Sequence, residues 1–384
     1  MKLTKISFSK PTVTCLFSSL LCLLPYLVRG DSPIRRIELE RLGEKIYFDT
    51  SLSTPPGQSC ASCHTPADGF ADPNHSLPVS LGAIKSRTGF RSAPTAAYAK
   101  FIPPLHYDAD DETYVGGLFW DGRVDTLAQQ AQFPFLNPVE MHNLDQPTVV
   151  AKISVAEYAS LFRKVFGPHA LDKKNYPLAY QQVTEAIAAF EQTPLFSPFT
   201  SKFDYYRRGK AQLTAKELHG LALYNGKANC FACHPSVATD GQPGPMFTDF
   251  TYDNIGIPKN WASPYLQLPP SLNPDGTNFV DYGLANTVAK FDPDHAADQA
   301  GRFKVPTLRN LARTAPYGHN GYFKTIKDIV HFYNTRDVPA ANWPAGEVPE
   351  TVNHDELGDL GMTESEENDL VAFLQTLTDG YPMR

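Results

Sequence analysis

Apolar residues recur at helical spacing in five stretches of this chain, and each predicts an amphipathic helix. They are "ERLGEKIYF" (40–48), "QQVTEAIAAFEQTP" (181–194), "KELHGLALYNGKANC" (216–230), "TIKDIVHFYN" (325–334) and "TESEENDLVAFLQTLTDG" (363–380). In the fourth, Ile326, Ile329, Val330 and Tyr333 form the apolar stripe. Thr214 with Glu217, and Thr363 with Glu366, have capping-box spacing, and the last stretch is expected to stop at Gly380. Gly43 precedes Tyr47 by four residues, as Gly220 precedes Tyr224. An inward-facing glycine lets a second helix approach closely while the aromatic packs on it.

Between these stretches the helical period fails. In "PLFSPFTSKFDYYRRGK" prolines interrupt it, and there we place a domain boundary, with domains at 31–200 and 201–384. Proline- and glycine-rich runs at Ala238 to Asp275 and Val338 to Pro349 predict long ordered loops, in keeping with 33 prolines overall.

The first 30 residues have a different pattern. Lys2, Lys5 and Lys10 precede a short apolar run from Cys15 to Val28, broken by Pro25 and followed by small residues. This predicts a cleaved secretory signal peptide, too short for a membrane span and without the features of a lipid anchor. A periplasmic location without a membrane anchor is therefore expected. Removing Lys2, Lys5, Lys10 and Arg29, with no acid among residues 1–30, takes the formal charge from -7 to -11. With that acidity and no Lys/Arg cluster, nucleic acid is excluded as the main partner.

The signal carries two of the six cysteines; the other four are Cys60 and Cys63 in "CASCH" and Cys230 and Cys233 in "CFACH". Four cysteines in an exported chain would ordinarily suggest two disulfides. Here each pair is a Cys-x-x-Cys-His motif, the attachment signature of c-type haem, with His64 or His234 placed to bind iron. A redox dithiol needs neither the duplication nor the histidine, and a zinc ribbon would hold its pairs close together. Two covalent c-type haems are expected.

The repeated order of helix, haem motif and closing helix resembles class I cytochrome c. We expect a mainly α fold of two such domains with long loops. Further stretches, "GLFWDGRVDTLAQQAQFPFLNPVEM", "CASCHTPADGF", "FTDFTYDNIG" and "FKVPTLRNLARTAPYGHNGYF", resemble the bacterial dihaem cytochrome c peroxidase and MauG family in the family's order. The resemblance implies that the first domain holds the peroxide-reacting haem. It implies that Glu140 handles peroxide protons there, that Gln130 and Pro134 shape the pocket, and that Trp120 lies between the haems. An isolated Trp or Glu would more simply be a packed ring or a solvated carboxylate.

Two departures place the chain within the family. Where many peroxidases carry a histidine that closes the first haem, "PVSLGA" has Ala83, so that haem is expected to be open; His75 is the one nearby substitute. Where peroxidases carry a methionine ligand, fourteen residues beyond His319, this chain has Tyr333, as MauG-like members do. Tyr333 is thus the expected distal ligand of the His234 haem, with Met246 as its competitor. The family also implies calcium between the domains, through carbonyls of Thr314, Pro316 and, in place of the usual asparagine, Ser92.

These features imply an oxidoreductase that uses hydrogen peroxide to oxidise a side chain, expected to be tryptophan, of a periplasmic protein partner through a high-valent bis-haem state. MauG has a tryptophan two positions ahead of its second motif as the charge exit. This chain has Ala228, leaving Phe231 or Tyr224 as alternative aromatics. The rival readings are a peroxidase served by a small cytochrome or cupredoxin and a dihaem electron carrier. Ala83 and Tyr333 count against the first, Ala83 and the Glu140 motif against the second.

Overall fold

Two helix pairs, each meeting at a glycine, frame the protein in this computed structural model, which describes residues 33–239 and 241–382. Helix α1 (Pro33–Tyr47) packs on α2 (Tyr176–Glu191). Helix α3 (Ala215–Tyr224) packs on α5 (Glu364–Gln375), and α4 (Ile326–Thr335) lies against α5. The predicted signal peptide lies outside the described residues.

The two pairs repeat the same contact. A Cβ at Gly43 would stand 1.8 Å from the carbonyl oxygen of Ala186, and one at Gly220 would stand 2.0 Å from that of Asp369. Without a side chain, each glycine lets the opposing backbone come to contact distance. The following tyrosine then sits edge-on to a phenylalanine of the partner helix: Tyr47 to Phe190 at 5.4 Å, and Tyr224 to Phe373 at 5.1 Å. Both tyrosines are fully buried.

Helix starts follow the side chains. Thr214, Thr325 and Thr363 each accept a hydrogen bond from the third residue of their helices, in full capping boxes. The box at Thr325 and Asp328 adds one that the sequence reading did not single out. Helix α2 begins at Tyr176, ahead of the expected Gln181, because Pro177 is acceptable in a first turn. Helix α5 ends at Gln375 rather than running to Gly380. The Thr376 hydroxyl and amide both turn back to the Phe373 carbonyl, and the chain then bends so that Asp379 can reach Tyr98 and Thr200. The stretch read as a proline interruption also contains a short helix, Lys202–Arg207, capped by Ser201.

Among the described residues the fold is mainly helical, with two small open sheets. Strand β1 (His106–Asp108) pairs antiparallel with β2 (Thr113–Val115), and β3 (Tyr252–Asp253) pairs with β4 (Phe303–Lys304). One buried apolar cluster draws on Leu42 through Phe199 and adds Met246; a second spans Phe203 to Leu377. Arg309 ties the two together. Its fully buried guanidinium meets Asp204 at 2.9 Å, donates to the Pro245 carbonyl, and lies over the rings of Tyr98 and Phe199. Such a buried charge is tolerable only because it is paired and hydrogen-bonded.

Replacing either glycine forces the helices apart. Gly43→Ala and Gly220→Ala are each expected to lower unfolding stability by roughly 1–3 kcal/mol, as overpacking does, measured by denaturant unfolding.

Candidate active site

Each Cys-x-x-Cys-His segment is held by the helix pair next to it. The Tyr47 hydroxyl donates to the carbonyl of His64 at 2.8 Å, and that of Tyr224 to the carbonyl of His234 at 2.5 Å. The segments themselves form one 3-10 turn each, Cys60–Ser62 and Cys230–Ala232, a geometry that brings the two cysteines of each motif, three residues apart, to the same side. The Nδ1 atoms of His64 and His234 lie 3.1 and 2.8 Å from the carbonyl oxygens of Phe70 and Phe247. A histidine held in this way presents its other nitrogen to a metal.

All six motif residues line one continuous cavity. Around them the wall is largely apolar, and these residues fit two covalent haems. The four cysteines are free of disulfides. Burial pushes the Cys63, Cys230 and Cys233 thiols up to about 12, and Cys60 higher still. Burial also lowers His234 to about 4 and depresses His64, so both imidazoles are neutral, as iron ligation requires.

The same cavity gathers the other candidates. Trp120, Gln130, Pro134, Glu140, Tyr333, Ser92, Thr314 and Pro316 all line it. Glu140 accepts a hydrogen bond from Asn137 Nδ2 at 2.8 Å. Burial raises its carboxyl above the usual range, while Arg123 and Asn137 pull the other way. The "PVSLGA" segment supports this carboxylate through backbone contacts. The Ala83 amide donates to the Glu140 carbonyl at 2.7 Å, and Gly82 lies so close that a Cβ would stand 2.4 Å from the Val139 carbonyl. His75 stands away from the cavity wall, with Nε2 3.4 Å from Asp68.

Tyr333 packs against the second apolar cluster and lines the cavity, and its hydroxyl has no hydrogen-bond partner among the described residues. Burial, with Cys233 and Asp253 adding to it, raises its phenol well above the ordinary value. Met246 also borders the cavity, but its side chain packs in the first cluster. Ala228 is buried, Phe231 is exposed beside Cys230, and Tyr224 is enclosed with its hydroxyl held by His234.

Trp120 is clamped from three sides. Its Nε1 donates to the Ser92 carbonyl at 2.9 Å, and its own carbonyl accepts from the Lys304 amide at 2.9 Å. The Lys304 ammonium donates to the carbonyls of Gly117 and Phe119. The next residue, Asp121, pairs with Arg91 and Arg123, and Arg91 reaches on to Asp281 at 2.6 Å. The sequence reading missed Lys304, Arg91 and Asp281 as members of the site. Burial brings Lys304 down to about 7. His319, used above only to count to Tyr333, is buried against the cavity, stacked on Phe303 at 3.5 Å, with both ring nitrogens unpartnered. A charged or ring-nitrogen residue inside an apolar motif, as in "FKVPTLRN", was the available signal.

Comparison with known proteins identifies the family. The model of the family described as di-haem cytochrome c peroxidase matches residues 38–212. The methylamine utilization protein MauG of Paracoccus denitrificans is 38% identical over 357 residues, covering 89% of this chain and 88% of that protein. The cytochrome c551 peroxidase of Pseudomonas aeruginosa is 33% identical over 304 residues, covering 79% and 73%. The crystal structure of the diheme peroxidase BthA from Burkholderia thailandensis superposes with a TM-score of 0.80 at 34% identity, covering 91% of this chain and 86% of that one. The chain thus belongs to the bacterial dihaem cytochrome c peroxidase and MauG family, a haem-dependent oxidoreductase of the peroxidase type acting with hydrogen peroxide, for which membership implies two covalent c-type haems.

Proposed function

We propose that this protein is a MauG-like enzyme that oxidises a side chain, tryptophan by preference, of a protein partner outside the cytoplasm. In this reading residues 1–30 are a cleaved export signal, 31–200 carry the peroxide-reacting haem on Cys60, Cys63 and His64, and 201–384 carry the second on Cys230, Cys233 and His234. The observation that carries it is Tyr333: a phenol lining the cavity beside which His234 stands, its hydroxyl without a hydrogen-bond partner among the described residues. Burial disfavours ionisation of that phenol, so a neighbouring cation would be needed to hold it as a phenolate.

When bound, the haems supply the redox chemistry, taking two oxidising equivalents from peroxide. Glu140, held by Asn137, takes a proton from the near oxygen of peroxide and returns it to the departing one. Gln130 and Pro134 shape the wall around it. Trp120, fixed by Ser92 and Lys304, is the stepping point between the two sites. Tyr333 would supply an anionic oxygen donor to the second haem, a donor type that favours higher oxidation states, whereas methionine would raise the potential and suit electron uptake. Carbonyls of Ser92, Thr314 and Pro316 would hold calcium, the Ser92 oxygen being shared with the Trp120 indole.

The names of several relatives support a second reading, peroxide reduction at the expense of a small cytochrome or cupredoxin. Among them are the P. aeruginosa peroxidase and cytochrome-c peroxidase IdrP1 of Denitromonas iodatirespirans, 30% identical over 371 residues. Tyr333→Met separates the two. On the first reading the variant raises the potential of the His234 site and loses partner oxidation while still consuming peroxide. Partner oxidation at the wild-type rate would remove Tyr333 from the mechanism.

Glu140 gives a second test. Only its ionised form accepts a proton, so the peroxide reaction should fall as pH drops through a midpoint above the usual carboxylate range. Glu140→Gln should slow the reaction by about 10²- to 10⁴-fold and remove that acid limb in stopped-flow measurements.

A further inference from the structure

On the side of the Trp120 loop away from the cavity, aromatic residues lead to the surface. Tyr252 on β3 touches the loop at both ends. Its hydroxyl donates to the Gly116 carbonyl at 2.6 Å and lies 2.2 Å from where a Gly122 Cβ would stand. Tyr252 is paired across the sheet with Lys304, whose amide donates to the Trp120 carbonyl. The Tyr252 ring packs with Tyr114 in a separate buried cluster with Leu284 and Val288. Tyr114 in turn contacts Tyr107, its cross-strand partner on β1, at 5.1 Å edge-on, and Phe291 at 6.1 Å. Tyr107 and Phe291 are 53% and 58% exposed.

The hydrogen bonds distinguish these tyrosines chemically. A phenol gives up an electron readily only if its proton has somewhere to go. Tyr252 donates to a carbonyl, which cannot take that proton. Tyr114, 4% exposed, donates to Asp292 Oδ2 at 3.3 Å. Asp292 is in turn held by His295 Nδ1 at 2.9 Å, and this contact keeps its carboxyl ionised. Tyr114 is therefore a buried phenol with a carboxylate acceptor, in ring contact with an exposed phenol.

The rim around Tyr107 is acidic. Asp110, Asp111 and Glu112 form the turn of its hairpin, and Asp294 and Asp298 follow Phe291; all five are exposed. Across residues 105–112 and 290–298, Lys290 is the single lysine or arginine.

We propose that Tyr114 and Tyr107 form a second exit for oxidising equivalents, at which the protein oxidises small cationic phenols or arylamines one electron at a time. This rests on the peroxide-driven reading above. An electron passes from Tyr114 to the oxidised Trp120 indole as the Tyr114 proton moves to Asp292. Tyr107 then returns an electron to Tyr114, which recovers its proton from Asp292, while the Tyr107 proton leaves to water. The bound donor reduces Tyr107, supplying one electron and one proton and leaving as its radical. Two donors are consumed for each peroxide reduced to two waters. The carboxylates attract a cationic donor and repel an anionic one, an effect that salt weakens.

The test uses the peroxide-treated holoenzyme, with a nitrone spin trap followed by peptide mass mapping, and compares tyramine with 4-hydroxyphenylacetate as donors. The wild-type protein should carry the trap on Tyr107 and oxidise tyramine faster by about tenfold at low salt, the margin shrinking as ionic strength rises. Tyr114→Phe keeps the ring but loses the proton path. It should lose the Tyr107 adduct and lower tyramine oxidation by fivefold or more, with the first peroxide equivalent consumed at the wild-type rate. Tyr107→Phe should give the same result. A Tyr107 adduct that persists in Tyr114→Phe, or tyramine oxidation and donor preference unchanged in both variants, would overturn this exit while leaving the peroxide reading intact. A wild-type holoenzyme that consumes no peroxide would overturn both.

Discussion

The close approach of backbone to glycine at Gly43 and Gly220 is the contact on which the rest of the architecture depends. It brings α1 against α2 and α3 against α5 at a spacing that no side chain would permit. That spacing buries Tyr47 and Tyr224, whose hydroxyls then reach the carbonyls of His64 and His234. Each imidazole is fixed from two directions, by the tyrosine on its backbone and by a carbonyl on its ring. The duplication is therefore mechanical as well as textual: the same three contacts hold each motif against the cavity.

The two halves differ in what faces each motif. Near the cysteines of the first is a carboxylate, that of Glu140, whose loop is held by the backbone of Gly82 and Ala83. Near the second is a phenol with an unpaired hydroxyl. In the same cavity, Trp120 is held by a lysine and a buried ion-pair network that spans both halves of the sequence. Breaking one partner of such a network leaves an uncompensated buried charge, so the indole has little freedom to move.

Much of this was legible because it is written locally. The haem motifs are contiguous, the glycine and tyrosine stand one helical turn apart, and the caps at Thr214 and Thr363 lie three residues from their partners. What was not legible depends on long-range contact. Arg91 and Asp281 are 190 residues apart, and neither has a local pattern that marks it for the cavity. Lys304 sits on a two-residue strand, too short to show alternation. The end of α5 was misplaced because Gly380 looked like a stop signal, whereas the Thr376 turn closes the helix first. Ala83 could be read only as an absent ligand; its amide contact with Glu140 needed coordinates.

The account's central claim is that the two irons are held unequally, one with an open face beside Glu140 and the other bound by Tyr333. Electron paramagnetic resonance of the ferric holoenzyme addresses this most directly. The account predicts one high-spin and one low-spin centre, with no near-infrared charge-transfer band of the histidine–methionine type in the matching optical spectrum. Two low-spin, six-coordinate centres with only nitrogen or sulfur axial donors would contradict it.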